Sequence, residues 1–143
     1  MSVVVLDASV AAKWVLPAKG ETLVEQARKL LERYVNGEIR FVVPDLFWAE
    51  TANIFWKASR QGRCTRPDAP GGPRLFGATE FSHRLVALLA SAYELATAFD
   101  CTVYDSLYVA LAIESKANFV TADQRLANAL SRDCPVRWLG AAI

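Results

Sequence analysis

The hydrophobic pattern changes period several times along this chain, and each change marks an element. Val3-Val4-Val5-Leu6 is a short apolar run rich in β-branched residues, which predicts a buried strand. It stops on Asp7, and the segment from Ala8 to Leu16, mostly apolar and without Gly or Pro, predicts a helix. Pro17 to Gly20 breaks the chain. From Glu21 to Val35 the residues Leu23, Ala27, Leu30, Leu31 and Tyr34 share a face at helical spacing, and Asn36-Gly37 ends that helix with fitting turn chemistry. Phe41-Val42-Val43 predicts a second strand, stopped by Pro44. Asp45 is the expected N-cap of a helix from Leu46 to Arg60, closed by Gly62.

Arg63 to Gly77 contains Pro67, Pro70, Gly71, Gly72 and Pro73, shows no period, and reads as a loop. Thr79-Glu80-Phe81 predicts a brief strand. Ser82 is the expected cap of a helix from Arg84 to Ala98, with Leu85, Leu88, Leu89, Ala92 and Leu95 inward. Thr102 opens a helix through Ser115 that is apolar nearly all round from Leu107 to Ile113, so burial on several sides is expected. Asn118 to Thr121 reads as a strand, Gln124 to Leu130 as a helix, and Val136 to Leu139 as a last strand.

Short apolar strands alternating with helices predict an α/β sandwich with a mainly parallel sheet. There is no internal repeat, and 143 residues suit one domain, 1–143, with a real core. No uninterrupted apolar run reaches membrane-spanning length, so no membrane partner is expected. The chain enters its first strand without a basic n-region, so the expected location is cytoplasmic.

Composition narrows the chemistry. The formal net charge is +1, so any nucleic-acid contact must rest on a local patch and not on the field of the whole molecule. The three cysteines, Cys64, Cys101 and Cys134, form no C-x-x-C pair, which argues against a zinc site or disulfide framework and for inert thiols. A single histidine, His83, argues against histidine-based metal sites and general-base schemes. No phosphate-binding glycine motif occurs. Carboxylates are the groups left to do chemistry.

Four of them stand out. Asp7 and Asp123 each follow a strand and precede a helix, a position that suits capping but is also where ligands of open α/β sheets gather. Asp105 follows Thr102 at capping-box spacing. Glu50 lies mid-helix, where it caps nothing, and its helical neighbours Leu46, Phe47, Asn53 and Ile54 are largely apolar. A carboxylate buried there needs a cation, a basic partner or a proton, because leaving it unpaired costs on the order of several kcal/mol. Lys57 is one partner; a metal ion is the other. Four clustered carboxylates would repel one another unless a divalent ion neutralised them, and all-oxygen ligation selects Mg²⁺ or Mn²⁺.

The ordered set Val4-Val5-Leu6-Asp7-Ala8-Ser9, Pro44-Asp45-Leu46 through Ala49-Glu50-x-x-Asn53, Thr102 to Ala112 and Phe119-Val120-Thr121-Ala122-Asp123-x-Arg125-Leu126 resembles the PIN-domain family. More narrowly, it is similar to the VapC-type toxin ribonucleases of toxin–antitoxin pairs. The resemblance spans nearly the whole chain. It implies a three-layer α/β PIN-like fold, with a mainly parallel five-stranded sheet of order 3-2-1-4-5 flanked by helices. It implies that Asp7, Glu50, Asp105 and Asp123 form a catalytic, metal-binding cluster. Ser9 and Thr121 match supporting hydroxyls, and Asn53 matches a polar position beside the acid helix; a helix-start hydroxyl and a core amide are the plain structural alternatives for Ser9 and Asn53. Relatives carry an amphipathic helix between the acid helix and the third strand, which the prolines and glycines of 63–73 cannot make.

The implied activity is Mg²⁺- or Mn²⁺-dependent hydrolysis of RNA phosphodiester bonds, with a cognate antitoxin and a homodimer as partners. Lys13 and Arg125, close to the acids in sequence, and Lys57 and Arg60 are candidate phosphate contacts. Lys57, Arg60, Arg63, Arg66 and Arg74 stand against Asp68 in one basic stretch, which also reads as a solvated loop. Trp14, Trp48 and Trp56 could stack on bases, although core or partner packing suits them as well. The alternative is a non-catalytic PIN-like module that binds RNA or protein. A receiver-like domain fits poorly, because Lys116 precedes the late strand instead of following it.

Overall fold

The computed structural model describes residues 1–64 and 82–141. The strand expected at Thr79-Glu80-Phe81 and the loop from residue 65 onward lie outside the described residues. Five strands form one sheet: β1 (Ser2–Leu6), β2 (Ile39–Pro44), β3 (Ser82–His83), β4 (Asn118–Thr121) and β5 (Val136–Trp138). Their order is β3-β2-β1-β4-β5, and every pairing is parallel. Six helices flank it among the described residues: α1 (Ala8–Ala12), α2 (Val24–Val35), α3 (Leu46–Arg60), α4 (Leu85–Phe99), α5 (Val103–Glu114) and α6 (Gln124–Leu130).

Central β1 explains the near-continuous valine run. Its Val5 pairs with Val42 on one side and Phe119 on the other, and Val4, Val5 and Leu6 are all buried. A parallel strand covered on both faces needs apolar side chains on both, so strict alternation disappears. α5 meets the all-round expectation: every residue from Ser106 to Ala112 is buried, and the helix packs on β1, β2, β4 and α4. Tyr108 and Leu107 of this helix, with Phe47 and Phe119, are among the largest fully buried side chains of the core, each contributing roughly 1.5–3 kcal/mol by burial.

Several boundaries differ from the sequence pattern for local reasons. α1 keeps α-helical form only to Ala12, and α2 starts at Val24 because Leu23 adopts a left-handed backbone (φ 57°). Ser82 does not cap α4. It lies in β3, where its hydroxyl bonds the Asp45 carboxylate and accepts the Trp48 indole N–H at 3.2 Å, so the N-cap position falls on Arg84. Asp45 precedes α3 as expected but its side chain makes no capping bond, being held by Ser82. Leu89, expected inward, is 40% exposed, because α4 buries only the narrow line of Leu88 and Ala92. Among the described residues no single helix is long and apolar enough to cross a membrane.

Candidate functional site

The sheet reverses its order of travel between β1 and β4, and Asp7 and Asp123 come directly after those two strands. This is where an open parallel sheet leaves a crevice for ligand. Asp7 is the N-cap of α1, with Oδ1 accepting from the Ser9 N–H at 3.5 Å. Asp123 is the N-cap of α6, with Oδ1 accepting from the Leu126 N–H at 3.1 Å. Thr102 caps α5 by accepting the Asp105 N–H at 3.1 Å. Capping is thus real at all three helices and does not compete with clustering, since a carboxylate has a second oxygen to offer.

Thr121, fully buried at the end of β4, joins the two strand-end acids. Its hydroxyl donates to Asp7 Oδ2 at 2.6 Å and accepts the Asp123 backbone N–H at 3.1 Å. Ser9 Oγ accepts the Ala122 N–H at 3.4 Å, tying the start of α1 to the end of β4. Glu50 reaches the same region from α3 and accepts a hydrogen bond at Oε1 from the Tyr108 hydroxyl at 2.6 Å.

The electrostatics link all four acids. Burial pushes the Asp7 carboxyl above its ordinary range; hydrogen bonds from Thr121 and Ser9 oppose the rise and the charge of Asp105 adds to it. Burial likewise raises Glu50, against the Tyr108 hydrogen bond and with the charges of Asp7 and Asp105. Asp105 is raised by burial, lowered by its bond with Thr102, and raised by Asp123. Burial and the charges of Asp7 and Glu50 push the Tyr108 phenol far up, so it stays a protonated donor. The charges acting on these carboxylates are other carboxylates.

The acids are gathered but not closed into a cage: among the described residues, no three His, Cys, Asp or Glu side chains stand close enough to hold a metal ion between them. Like charges spread, and each carboxylate is drawn toward its own donor. The donor set nevertheless fits a hard divalent cation, since it is all oxygen and its members raise one another's proton affinity.

Asn53 is exposed on α3, which removes the core-amide alternative, and among the described residues it makes no hydrogen bond to the acids. Lys13 is buried and pairs with Glu21 at 3.0 Å, and Glu21 also binds Arg63, so Lys13 is engaged inside the fold and not presented to solvent. Lys57, Arg60 and Arg125 are exposed, with Arg60 lying 5.1 Å over the ring of Trp56. Trp14 donates to the Ala27 carbonyl at 2.7 Å and Trp48 to Ser82, which makes both structural; Trp56 is 53% exposed. The three cysteines are free thiols. Sequence reasoning missed Tyr108; its signal was a tyrosine one turn after Asp105 on an otherwise apolar helix.

A parallel sheet of this order with carboxylates at its switch point defines a class of acid-cluster α/β domains. The family model for the PIN domain matches residues 4–129, and the chain belongs to the PIN-domain family. It is 34% identical over 128 residues to Ribonuclease VapC3 of Pyrobaculum aerophilum, covering 86% of this chain and 91% of that protein. Several solved structures share the fold, and two illustrate it. One is Mycobacterium tuberculosis VapC20, a sarcin-ricin-loop-cleaving toxin (TM-score 0.66, 15% identity, 89% of this chain and 95% of that one). The other is VapBC2 of Rickettsia felis, bound to a DNA fragment from its promoter (TM-score 0.67, 13% identity, 95% of this chain and 98% of that one).

Proposed function

We propose that this chain is a divalent-metal-dependent endoribonuclease of the VapC type, the toxin of a toxin–antitoxin pair. The observation that carries the proposal is the link of Asp7 to Asp123 through Thr121 at the β1/β4 switch point, with Asp7, Glu50 and Asp105 each held above its ordinary pKa by burial and by another of the acids. Similarity to a named ribonuclease over most of both chains supports it.

Asp7, Asp105 and Asp123 would hold Mg²⁺ or Mn²⁺, with Glu50 completing the set. When bound, such an ion makes a water more acidic and offsets negative charge gathering on the phosphate oxygens. The chain's own residues do the rest. Thr121 fixes the Asp7 carboxylate and Ser9 fixes the strand ends beneath it. Glu50 would orient the attacking water and take its proton as a new oxygen–phosphorus bond forms and the bond to the ribose oxygen breaks, and that oxygen would leave as a hydroxyl with a proton from solvent water. Arg125, on the first turn of α6 beside Asp123, would meet a phosphate, and Lys57 and Arg60, further along α3, would meet others. No histidine is needed.

An RNA substrate would put the protein in the cytoplasm. An antitoxin partner follows from the toxin reading, and a toxin–antitoxin complex from Klebsiella pneumoniae is among the solved structures of this fold (TM-score 0.63, 13% identity). A homodimer is supported by the exposed apolar side chains Val86 and Tyr93 of α4 and Ile113 of α5, on two helices packed against each other.

The test is cleavage of structured RNAs with Mg²⁺ by the wild type, Asp7→Asn and Asp105→Asn. The two variants are expected to lose activity by at least about a hundredfold. Equal cleavage by all three proteins would overturn the assignment and favour the non-catalytic module.

A further inference from the structure

Helix α5 brings two polar side chains to the acid cluster. Asp105 is one. Three residues on, and so on the same face, is Tyr108. Its side chain is among the largest that are fully buried, with the residue 1% exposed. The ring is stacked on Phe119 with centroids 4.9 Å apart and planes 17° from parallel, which fixes where the hydroxyl must lie. A phenylalanine would fill the same volume. The hydroxyl is tolerated there because it has partners: it donates to Glu50 Oε1 at 2.6 Å, across 58 residues of sequence, and meets the backbone N–H of Ala8, next to Asp7.

We propose that Tyr108 is a positioning residue of the active site, whose hydroxyl holds Glu50 Oε1 so that the other carboxylate oxygen is kept toward Asp7 and Asp105. Glu50 needs such a hold more than the three aspartates do. Its longer side chain starts from mid-helix and has no cap to make, whereas Asp7 and Asp123 are restrained by backbone N–H groups next to them and Asp105 by Thr102 three residues away. Among the described residues Tyr108 is its sole hydrogen-bond partner. A rigid aromatic hydroxyl gives the carboxylate a fixed direction without neutralising it, as a lysine would. This inference rests on the proposed metal-site reading and names a group that reading does not require.

The experiment compares wild type, Tyr108→Phe, Glu50→Gln, Asp7→Asn and the Tyr108→Phe/Glu50→Gln double variant, by Mg²⁺ titration calorimetry and by RNA cleavage. Tyr108→Phe is expected to weaken Mg²⁺ binding by about tenfold, to lower kcat, and to leave KM for RNA within about twofold. In the Glu50→Gln background it should cause no further loss, because the carboxylate it serves is gone. A purely structural tyrosine would lower Tm and leave the Mg²⁺ titration of the folded protein alone. Wild-type Mg²⁺ binding and kcat in folded Tyr108→Phe, with Asp7→Asn and Glu50→Gln both impaired, would overturn the positioning role and spare the metal site. Unchanged binding and cleavage in Asp7→Asn and Glu50→Gln would overturn both.

A second measurement covers failure of Tyr108→Phe to fold. In protein labelled with 3-fluorotyrosine, the Phe variants of Tyr34, Tyr93 and Tyr104 assign three ¹⁹F resonances and leave the fourth to Tyr108. Glu50→Gln is expected to move that resonance alone. A resonance that stays in place would remove the proposal.

Discussion

Thr121 Oγ1 donates to Asp7 Oδ2 at 2.6 Å while accepting the backbone N–H of Asp123 at 3.1 Å, so one buried hydroxyl spaces the two acids that follow the two central strands. Thr121→Val keeps the shape and removes both bonds. It is expected to leave Asp7 with one donor fewer and the Asp123 N–H unpaired, at a cost of about 1–3 kcal/mol. Chemical denaturation reads the loss of stability, and RNA cleavage should fall with it. Thr121→Ser, which retains the hydroxyl, should recover most of the activity.

The raised carboxyls of Asp7, Glu50 and Asp105 make the metal-free protein sensitive to pH in a defined direction. A carboxyl whose folded pKa lies above its unfolded value contributes stability in its protonated form. That contribution is complete below the unfolded value, near pH 4, and is lost as pH rises through the folded one. Glu21 has the opposite sign: burial raises it, but the bonds from Arg63 and Lys13 win and hold it below its ordinary value. Its contribution is present above the ordinary value and lost as pH falls through the lowered one. Metal-free Tm should therefore pass through a maximum in mildly acid buffer and decline toward pH 8. Asp7→Asn should flatten the alkaline decline and raise metal-free Tm at pH 8 by at least about 3 °C while abolishing cleavage. A Tm for Asp7→Asn below wild type at pH 8 would refute the strain assigned to this carboxylate.

The strands and helices around the acids were legible in the sequence because burial on both faces writes itself as unbroken valine and phenylalanine, as in β1 and β4, and because α3 and α6 begin and end on clear signals. Asp7 and Asp123 could be placed at strand ends for the same reason. What could not be read depends on contacts between distant segments. The Tyr108–Glu50 bond is set by how α5 lies against α3, and nothing local distinguishes that tyrosine from a core aromatic. Ser82 looked like a helix cap because its neighbours are helical; the competing claim of Asp45, 37 residues earlier, put it in a strand. Lys13 looked free to meet phosphate because Glu21 lies beyond the break at Pro17 to Gly20, with no helical period to bring the two together.

Glu21 holds Lys13 and Arg63 at once, and it links α1 to the end of α3. The side chains of Lys13 and Glu21 are 7% and 14% exposed, so the pair is poorly screened. Glu21→Ala should cost about 2–4 kcal/mol, most of it from leaving Lys13 buried and unpaired. Arg63→Ala, which removes the more exposed partner, should cost under about 1 kcal/mol. In urea melts, equal costs for the two would show that the Lys13 contact carries no special weight. Glu21→Ala also releases the lysine, and a gain in RNA affinity in that variant would restore Lys13 as a phosphate contact.

The basic side chains that reach solvent near the acids give the last prediction, and salt separates their roles. Arg125 is exposed on the first turn of α6, next in line after Asp123, and Lys57 and Arg60 are exposed on α3, which also carries Glu50. A cation that touches one phosphate of single-stranded RNA releases about 0.7 of a counterion, so its removal should lower the slope of log affinity against log salt by about that amount. Arg125→Ala is expected to show this change together with a rise in KM and a smaller change in kcat, because phosphate contacts position the strand and the acids carry the chemistry. Arg60 differs from Lys57, since its guanidinium already lies over Trp56 at 5.1 Å. Arg60→Ala should therefore also disturb the exposed indole, seen as a change in its fluorescence, whereas Lys57→Ala should move the salt slope alone. An unchanged slope in all three variants would mean that RNA approaches the acid cluster from another side, and would redirect the search to the remaining exposed basic residues.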